Sequence, residues 1–115
     1  MNIDILWKEV FEFMSTISAG ELLDILGDRL GNEGLCFLIA LAESDRPLLK
    51  AQLGDRAQEL HKNGTTALNS RHHLDILTAR IEGAGLVDVT EVGRSRLYSL
   101  SNLGNILIEH LQQEK

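Results

Sequence analysis

Five consecutive polar residues stand at the predicted start of a helix in the second half of the chain. These residues are Asn69, Ser70, Arg71, His72 and His73. An Asn amide can pair bidentately with adenine and an Arg guanidinium with guanine, while Ser and His can bond to bases or to phosphate. The segment therefore has the chemistry of a nucleic-acid contact, although an ordinary polar helix start would contain the same residue types.

A predicted β-hairpin carries two arginines near its tip. Two short strands, Leu86 to Thr90 and Arg96 to Leu100, are expected around a turn formed by residues 91–95. Arg94 and Arg96 flank Ser95 in this region, where guanidinium groups suit contact with the backbone or minor groove of a nucleic acid. Alternatively, the two charges keep an exposed sheet edge from pairing with other chains.

Histidine and cysteine side chains raise the question of a metal site. The candidates are Cys36, His61, His72, His73 and His110. No CxxC or HExxH spacing occurs, and adjacent residues of a helix point about 100° apart, so His72 and His73 do not easily share one ion. Phosphate-binding glycine loops, dinucleotide fingerprints and nucleophile elbows are absent from the sequence as well. We therefore expect no metal, no cofactor and no enzymatic activity, and we expect Cys36 to be a small buried hydrophobe.

Helical periodicity organises the first half of the chain. Apolar residues recur at spacings of three and four from Ile3 to Ile17, which predicts an amphipathic first helix. Ser18 can cap a second helix, which should end at Gly31. The segment 33–44 is apolar nearly all round, so a third helix there should form the centre of the core, with Leu38 fully buried.

The second half contains signals for three further helices. Pro47 suits the first position of a fourth helix, because its missing amide would have no partner there. A fifth helix should start between Thr66 and Arg71 and should be capped by Gly85. Ser101 can cap a last helix, whose apolar residues again follow helical spacing.

Two segments near the end of the chain resemble the winged helix-turn-helix transcription regulators of the MarR, ArsR and PadR group. The first runs from Leu77 to Val87 (LTARIEGAGLV) and the second from Gly93 to Gly104 (GRSRLYSLSNLG). In those families a recognition helix ends in a similar Gly-Leu-Val, a Gly-Arg wing returns through a Tyr-containing strand, and a Ser/Thr-x-x-Gly step starts the last helix. The likeness covers roughly residues 33–112.

The resemblance implies how the polar residues would be used. The fifth helix would be the recognition helix, with Asn69 to His73 at the end that reaches base edges in the major groove. Arg94 and Arg96 would lie on the wing and contact the DNA backbone. Related regulators commonly pair through their first and last helices, so the resemblance also implies a homodimer matched to a palindromic site.

Two residues of the predicted recognition helix depart from the family pattern. Asp75 and Ile76 stand on the face opposite Leu74 and Leu77, where these regulators often have Ser, Thr or Arg. A carboxylate is repelled by phosphate, although Asp can accept a hydrogen bond from cytosine. An exposed Ile76 could touch a thymine methyl group or a protein partner.

The charge is acidic and unevenly distributed. The net charge is −6, yet residues 1–60 carry 11 acidic and 5 basic residues, whereas residues 61–115 carry 6 of each. Nucleic-acid binders usually carry a basic face, so the acidic balance counts against DNA binding, and less so in the second half.

Length and composition indicate one domain. A chain of 115 residues with 43% apolar residues can build one modest core. No apolar run approaches the roughly 20 residues that a membrane-spanning helix needs, and the N-terminus does not resemble a secretory signal. We therefore expect a cytoplasmic protein without membrane association.

The combined expectation is a mainly α chain: a winged helix-turn-helix with a two-stranded β-hairpin wing and extra N- and C-terminal helices. Residues 1–115 would form a single domain, with N-terminal helices in 1–32 for dimerisation, the winged core in 33–100 and a C-terminal helix in 101–115. The expected function is a homodimeric transcription regulator that binds double-stranded DNA. The alternative is a winged-helix module that binds a protein partner and no DNA.

Overall fold

The computed structural model describes Lys8, Glu9, Glu12 and residues 17–61 and 67–113. Within the two continuous ranges the chain forms four helices and three short strands. In chain order they are α1 (Ala19–Ala42), β1 (Leu48–Leu49), α2 (Lys50–Leu60), α3 (Arg71–Gly83), β2 (Val87–Val92), β3 (Ser95–Leu100) and α4 (Asn102–Gln113). The predicted first helix and its role in dimerisation fall almost wholly outside the described residues.

One long helix, α1, contains both the second and the third predicted helices. Ser18 caps its start, because the Ser18 Oγ accepts a hydrogen bond from the backbone N of Glu21 at 3.1 Å. Gly31 has φ 76° and ψ 173°, a backbone conformation that interrupts the helix and that glycine adopts at little steric cost. The predicted boundary at Gly31 is thus confirmed as a break, with helix on both sides of it.

The half of α1 that follows Gly31 lies at the centre of the core. Phe37 and Leu38 are completely buried, and Ala40 and Leu41 are nearly so. Helix α1 packs against α2, α3, α4 and β3, which explains why this segment is apolar nearly all round. The predicted burial of Leu38 is therefore confirmed.

Strand β1 corrects the predicted start of the fourth helix. Leu48 and Leu49 pair antiparallel with β3, and α2 begins only at Lys50. Pro47 therefore precedes a strand and is not the first residue of a helix, because pairing with β3 buries Leu48 in the core. The backbone N of Leu49 donates to the Gln52 Oε1 at 3.0 Å, which satisfies an amide at the start of α2.

The strands form one antiparallel sheet in the order β1, β3, β2. The β2–β3 hairpin turns in two residues, Gly93 and Arg94, and Val92 pairs with Ser95. The predicted turn over residues 91–95 is wrong because the strand pairing continues beyond Thr90. Gly93 has φ 63°, a positive value that two-residue hairpins of the favoured types need at this position.

The glycine and serine signals around α3 and α4 are confirmed. Gly85 follows the C-cap of α3 with φ 75°. The Ser101 Oγ accepts a hydrogen bond from the backbone N of Gly104 at 3.0 Å and donates one to the carbonyl O of Gly85 at 2.6 Å. Ser101 therefore caps α4 and also attaches the start of α4 to the end of α3.

None of the helices in the described part of the chain combines the length and the apolar character needed to cross a membrane.

Candidate nucleic-acid interface

The first turn of α3 is organised by Ser70 and His73. Ser70 is the N-cap, and its Oγ accepts a hydrogen bond from the backbone N of His73 at 3.5 Å. The same Oγ lies 3.0 Å from the His73 Nδ1, and the His72 and His73 rings meet edge to face with centroids 5.4 Å apart. Ser70 and the half-buried His73 thus satisfy each other, whereas Arg71 and His72 are exposed.

The turn before α3 is attached to α2 by two side chains. The Asn69 Nδ2 donates to the Asp55 Oδ1 at 3.2 Å, and the backbone N of the buried Leu68 donates to the Gln58 Oε1 at 2.5 Å. Gly54 allows α2 and α3 to approach closely, because a Cβ there would lie 2.4 Å from the Leu74 Cδ2. These contacts fix the start of α3 relative to α2.

Arg96 connects the hairpin to α3. Its Nη2 lies 2.7 Å from the Glu82 Oε1, and its guanidinium carbon lies 5.7 Å from the centre of the Tyr98 ring. The hydrogen bond that Arg96 donates to the Glu82 carboxylate raises the pKa of Arg96 above its ordinary value. Arg96 therefore has a structural partner on α3 in the free protein, although about two fifths of its side chain remains accessible (42%).

Arg94 and Arg71 are the two candidate arginines whose guanidinium groups are not in an ion pair within the described residues. Arg94 is exposed in the hairpin turn, and Arg71 is exposed on the first turn of α3. Both are thus available to an external anion, such as a phosphate group.

Asp75 and Ile76 are both exposed on α3, as expected for the face that does not pack on the core. Ile76 has 41% of its surface accessible. The Asp75 Oδ1 lies 2.5 Å from the Nζ of Lys50, the first residue of α2. This hydrogen bond lowers the pKa of Asp75, with smaller contributions from the charges of Arg71 and His72.

The structure thus brings Asn69, Ser70, Arg71, His72 and His73 together at one helix start and places Arg94 and Arg96 on the hairpin. Sequence reasoning missed the residues that hold this site in place: Lys50, Asp55, Gln58 and Glu82. Each belongs to a polar contact between residues 10 to 25 positions apart. No local sequence pattern predicts such contacts, because they form only when the helices pack against each other.

A separate open cleft of about 430 Å³ lies at the break in α1. Its lining contains three groups that are or can become cationic, together with one carboxylate; the side chains are Arg29, Glu33, His61 and Arg80. Nearby, the Cys36 Sγ lies 4.0 Å from the His61 Nδ1. Among the described residues no three His, Cys, Asp or Glu side chains cluster in a way that could hold a metal ion.

Cys36, predicted to be a small buried hydrophobe, is half-buried and packs against the core. Burial raises the pKa of its thiol, and the charge of Glu33 raises it further.

We expect iodoacetamide to alkylate Cys36 in the folded protein more slowly at pH 7 than it alkylates the same residue in urea, because the thiolate is the reactive form. Mass spectrometry over time would measure both rates, and equal rates would contradict the assignment of a shielded thiol.

The fold and the site together define a class of protein. The chain is mainly helical, with four helices and a small three-stranded antiparallel sheet in its described part, an arrangement compatible with a winged-helix-like DNA-binding fold. No protein-family model matches the sequence. A solved structure of a type III plasmid segregation protein, TubR, aligns with a TM-score of 0.59 at 22% identity, covering 86% of this chain and 89% of that one.

A sequence relative identifies the family. The chain is 36% identical over 108 residues to the DNA-binding protein TubR of Bacillus cereus, and the match covers 85% of this chain and 89% of the relative. The chain belongs to the TubR family. The predicted likeness to a family of DNA-binding regulators is thereby confirmed, while the particular MarR, ArsR and PadR group stays a prediction.

Proposed function

We propose that this protein binds duplex DNA through the start of α3 and the β2–β3 hairpin, as a winged helix-turn-helix protein of the plasmid segregation type. The observation that carries the proposal is the 36% identity to a DNA-binding TubR over most of both chains. The fold likeness to a TubR of type III plasmid segregation suggests the process in which the DNA site is used.

The geometry of α3 supports this proposal. The N-terminus of a helix carries a partial positive charge and free amides, both of which favour a nearby phosphate. Arg71 and His72 project from that end, and the preceding turn is fixed to α2 by Asn69 and Leu68. A helix held in this way can enter the major groove with its first turn directed at the base edges.

The proposal divides the candidate residues by role. Arg71 contacts a base edge, His72 a base or a phosphate, and Arg94 the DNA backbone. Asn69, Ser70, His73 and Arg96 first of all hold the reading surface in shape, since each already has a partner within the protein. Their remaining hydrogen-bonding groups contribute further contacts to DNA.

We further propose that two copies assemble as a homodimer on a palindromic site and that DNA binding also regulates transcription there. Helix α4 supports a role in pairing, because Leu103 and Ile106 leave 38% and 51% of their surfaces accessible. Exposed apolar side chains on one helix favour burial against a second chain.

A protein-interaction module is the competing function, and one observation favours it. Ile76 is exposed on α3 in a protein whose net charge is −6, a combination that suits a protein partner better than DNA. Salt-dependent binding to duplex DNA distinguishes the two functions, because a protein that neutralises phosphates loses affinity for DNA as the salt concentration rises.

The experiment is a fluorescence anisotropy titration of labelled duplexes, one selected from a random pool and one of mixed sequence, at two salt concentrations. We expect Arg71→Ala to weaken binding to the selected duplex by about 1 to 3 kcal/mol with little change on mixed sequence. Arg94→Ala should weaken both duplexes similarly and reduce the salt slope by about one, because one fewer phosphate is neutralised.

Arg29→Ala is the matched control, because Arg29 is an exposed arginine of α1 that does not belong to the site. It should change binding to either duplex much less than Arg94→Ala does. Absence of any binding by the parent protein at low salt would reject the DNA-binding function and leave the protein-interaction module.

A further inference from the structure

An ion pair joins the two helices that precede the hairpin. Lys50 is the first residue of α2, and its Nζ donates a hydrogen bond to the Asp75 Oδ1 on α3. Both side chains remain accessible, with 37% of Lys50 and 57% of Asp75 exposed. An exposed pair contributes little to folding stability, so another anion can replace Asp75 as the partner of Lys50.

The pair lies on the surface proposed to face DNA. Asp75 stands four residues after Arg71, one helical turn along α3, so the two side chains share a helix face. The charges of Arg71 and His72 also act on Asp75, which shows that all three belong to one electrostatic neighbourhood. The Asp75 carboxylate therefore pairs with the Lys50 ammonium group and at the same time repels a phosphate group.

Such a carboxylate affects correct and incorrect DNA sequences differently. Non-specific binding depends almost wholly on phosphate neutralisation. While Lys50 is paired with Asp75, it does not neutralise a phosphate, and the Asp75 carboxylate repels phosphate, so both effects weaken non-specific binding. At a correct site the Asp75 carboxylate can accept a hydrogen bond from the exocyclic amine of cytosine. Lys50 is then free to pair with a phosphate, and Asp75 no longer lowers the affinity for DNA.

We propose that Asp75 is a specificity-determining residue: its carboxylate holds Lys50 in place of a phosphate and thereby weakens binding to DNA of the wrong sequence. The inference rests on the proposed DNA-binding function and deepens it. It also gives a role to a residue that departs from the regulators that the sequence resembles, since Asp75 would be retained for discrimination rather than for affinity.

The test compares Asp75→Asn, Lys50→Gln and the double variant in anisotropy titrations on the selected and the mixed duplex. Asp75→Asn should tighten binding to mixed DNA about three- to tenfold at 50 mM salt and steepen its salt slope by about one, because Lys50 now neutralises a phosphate. Binding to the selected duplex should tighten less or weaken, so the ratio of the two affinities falls. In the Lys50→Gln background the change in salt slope should disappear.

Asp28→Asn is the matched control. Asp28 is an exposed residue of α1 outside the proposed interface, and the substitution changes the net charge by the same amount. The inference is overturned if Asp75→Asn behaves like Asp28→Asn, or if its effect on salt slope persists without Lys50. Thermal melting of each variant confirms that it is folded.

The outcomes separate this inference from the function on which it rests. A parent protein that binds duplex DNA, together with an Asp75→Asn variant whose affinities are unchanged, overturns the inference alone. A parent protein that binds no duplex at low salt overturns both. A variant with stronger binding to mixed DNA and a reduced affinity ratio supports both.

Discussion

Gly104→Ala should lower the free energy of unfolding by about 3 kcal/mol, an overpacking penalty at the upper end of the common range. Gly104 is buried on the first turn of α4 and packs against the backbone of Leu86, which follows α3 in the chain. A Cβ at this position would lie 2.2 Å from the carbonyl O of Leu86 and 3.0 Å from the Leu100 Cδ2. The carbonyl O of Leu86 also accepts a hydrogen bond from the backbone N of Ser101, so it cannot move away freely. Urea denaturation followed by circular dichroism would measure the loss.

Gly83→Ala is the control for this prediction. Gly83 is the last residue of α3, it is exposed, and a Cβ there would meet nothing within 4 Å. Alanine should leave stability unchanged or raise it by up to about 1 kcal/mol, because it restricts the unfolded chain. Equal stability of the two variants would show that α4 does not pack on Leu86 as described.

Leu38→Ala should cost about 2 to 5 kcal/mol, the usual range when a large buried side chain is truncated. Leu38 has no accessible surface and lies on α1, the helix that contacts α2, α3, α4 and β3. The cavity left behind would be surrounded by several elements at once, so it cannot collapse easily. Denaturant unfolding with a common slope for parent and variant provides the measurement.

Ile39→Ala tests whether burial causes the effect. Ile39 is the next residue of the same helix, yet 37% of its surface is accessible. Its truncation should cost clearly less than that of Leu38, because fewer contacts are lost and no enclosed cavity forms. A cost for Leu38→Ala below about half a kcal/mol would place the centre of the core elsewhere.

The sequence predicted the elements best where one residue type decides the local backbone. Gly31 and Gly85 adopt positive φ at the helix boundaries where they were expected, and Ser18 and Ser101 cap helices as their positions indicated. These signals are local, so they can be recognised without knowledge of the tertiary structure. The apolar segment after Gly31 was also assigned correctly to the core, since Phe37 and Leu38 in this segment are completely buried.

The start of α2 could not be predicted in the same way. Pro47 is compatible with a helix start, and Leu48 and Leu49 fit a helical stripe as well as a strand. Their pairing with β3 decides between these alternatives, and β3 lies much later in the chain. Similarly, the tight hairpin turn depends on strand pairing that extends to Val92.

The candidate residues could be proposed from the sequence, but their hydrogen-bonding partners could not. Asn69, Lys50 and Arg96 each bond to a carboxylate that lies 14 or 25 positions away in sequence. Such distances have no periodicity from which a contact could be inferred. Only the packing of α2 against α3, and of the hairpin against α3, shows which polar side chains meet.

Strand β1 gives the hairpin and α2 a common anchor. Leu49 pairs with β3 and directly precedes the first residue of α2, so the two elements cannot move independently without breaking the sheet. Ordering two separate elements during binding would cost conformational entropy, and here that cost has already been met during folding. Because the start of α3 is in turn attached to α2 through Asn69 and Leu68, a DNA duplex bound as proposed to α3 and the hairpin meets a preorganised surface, and the protein backbone sets the distance between the two contacts.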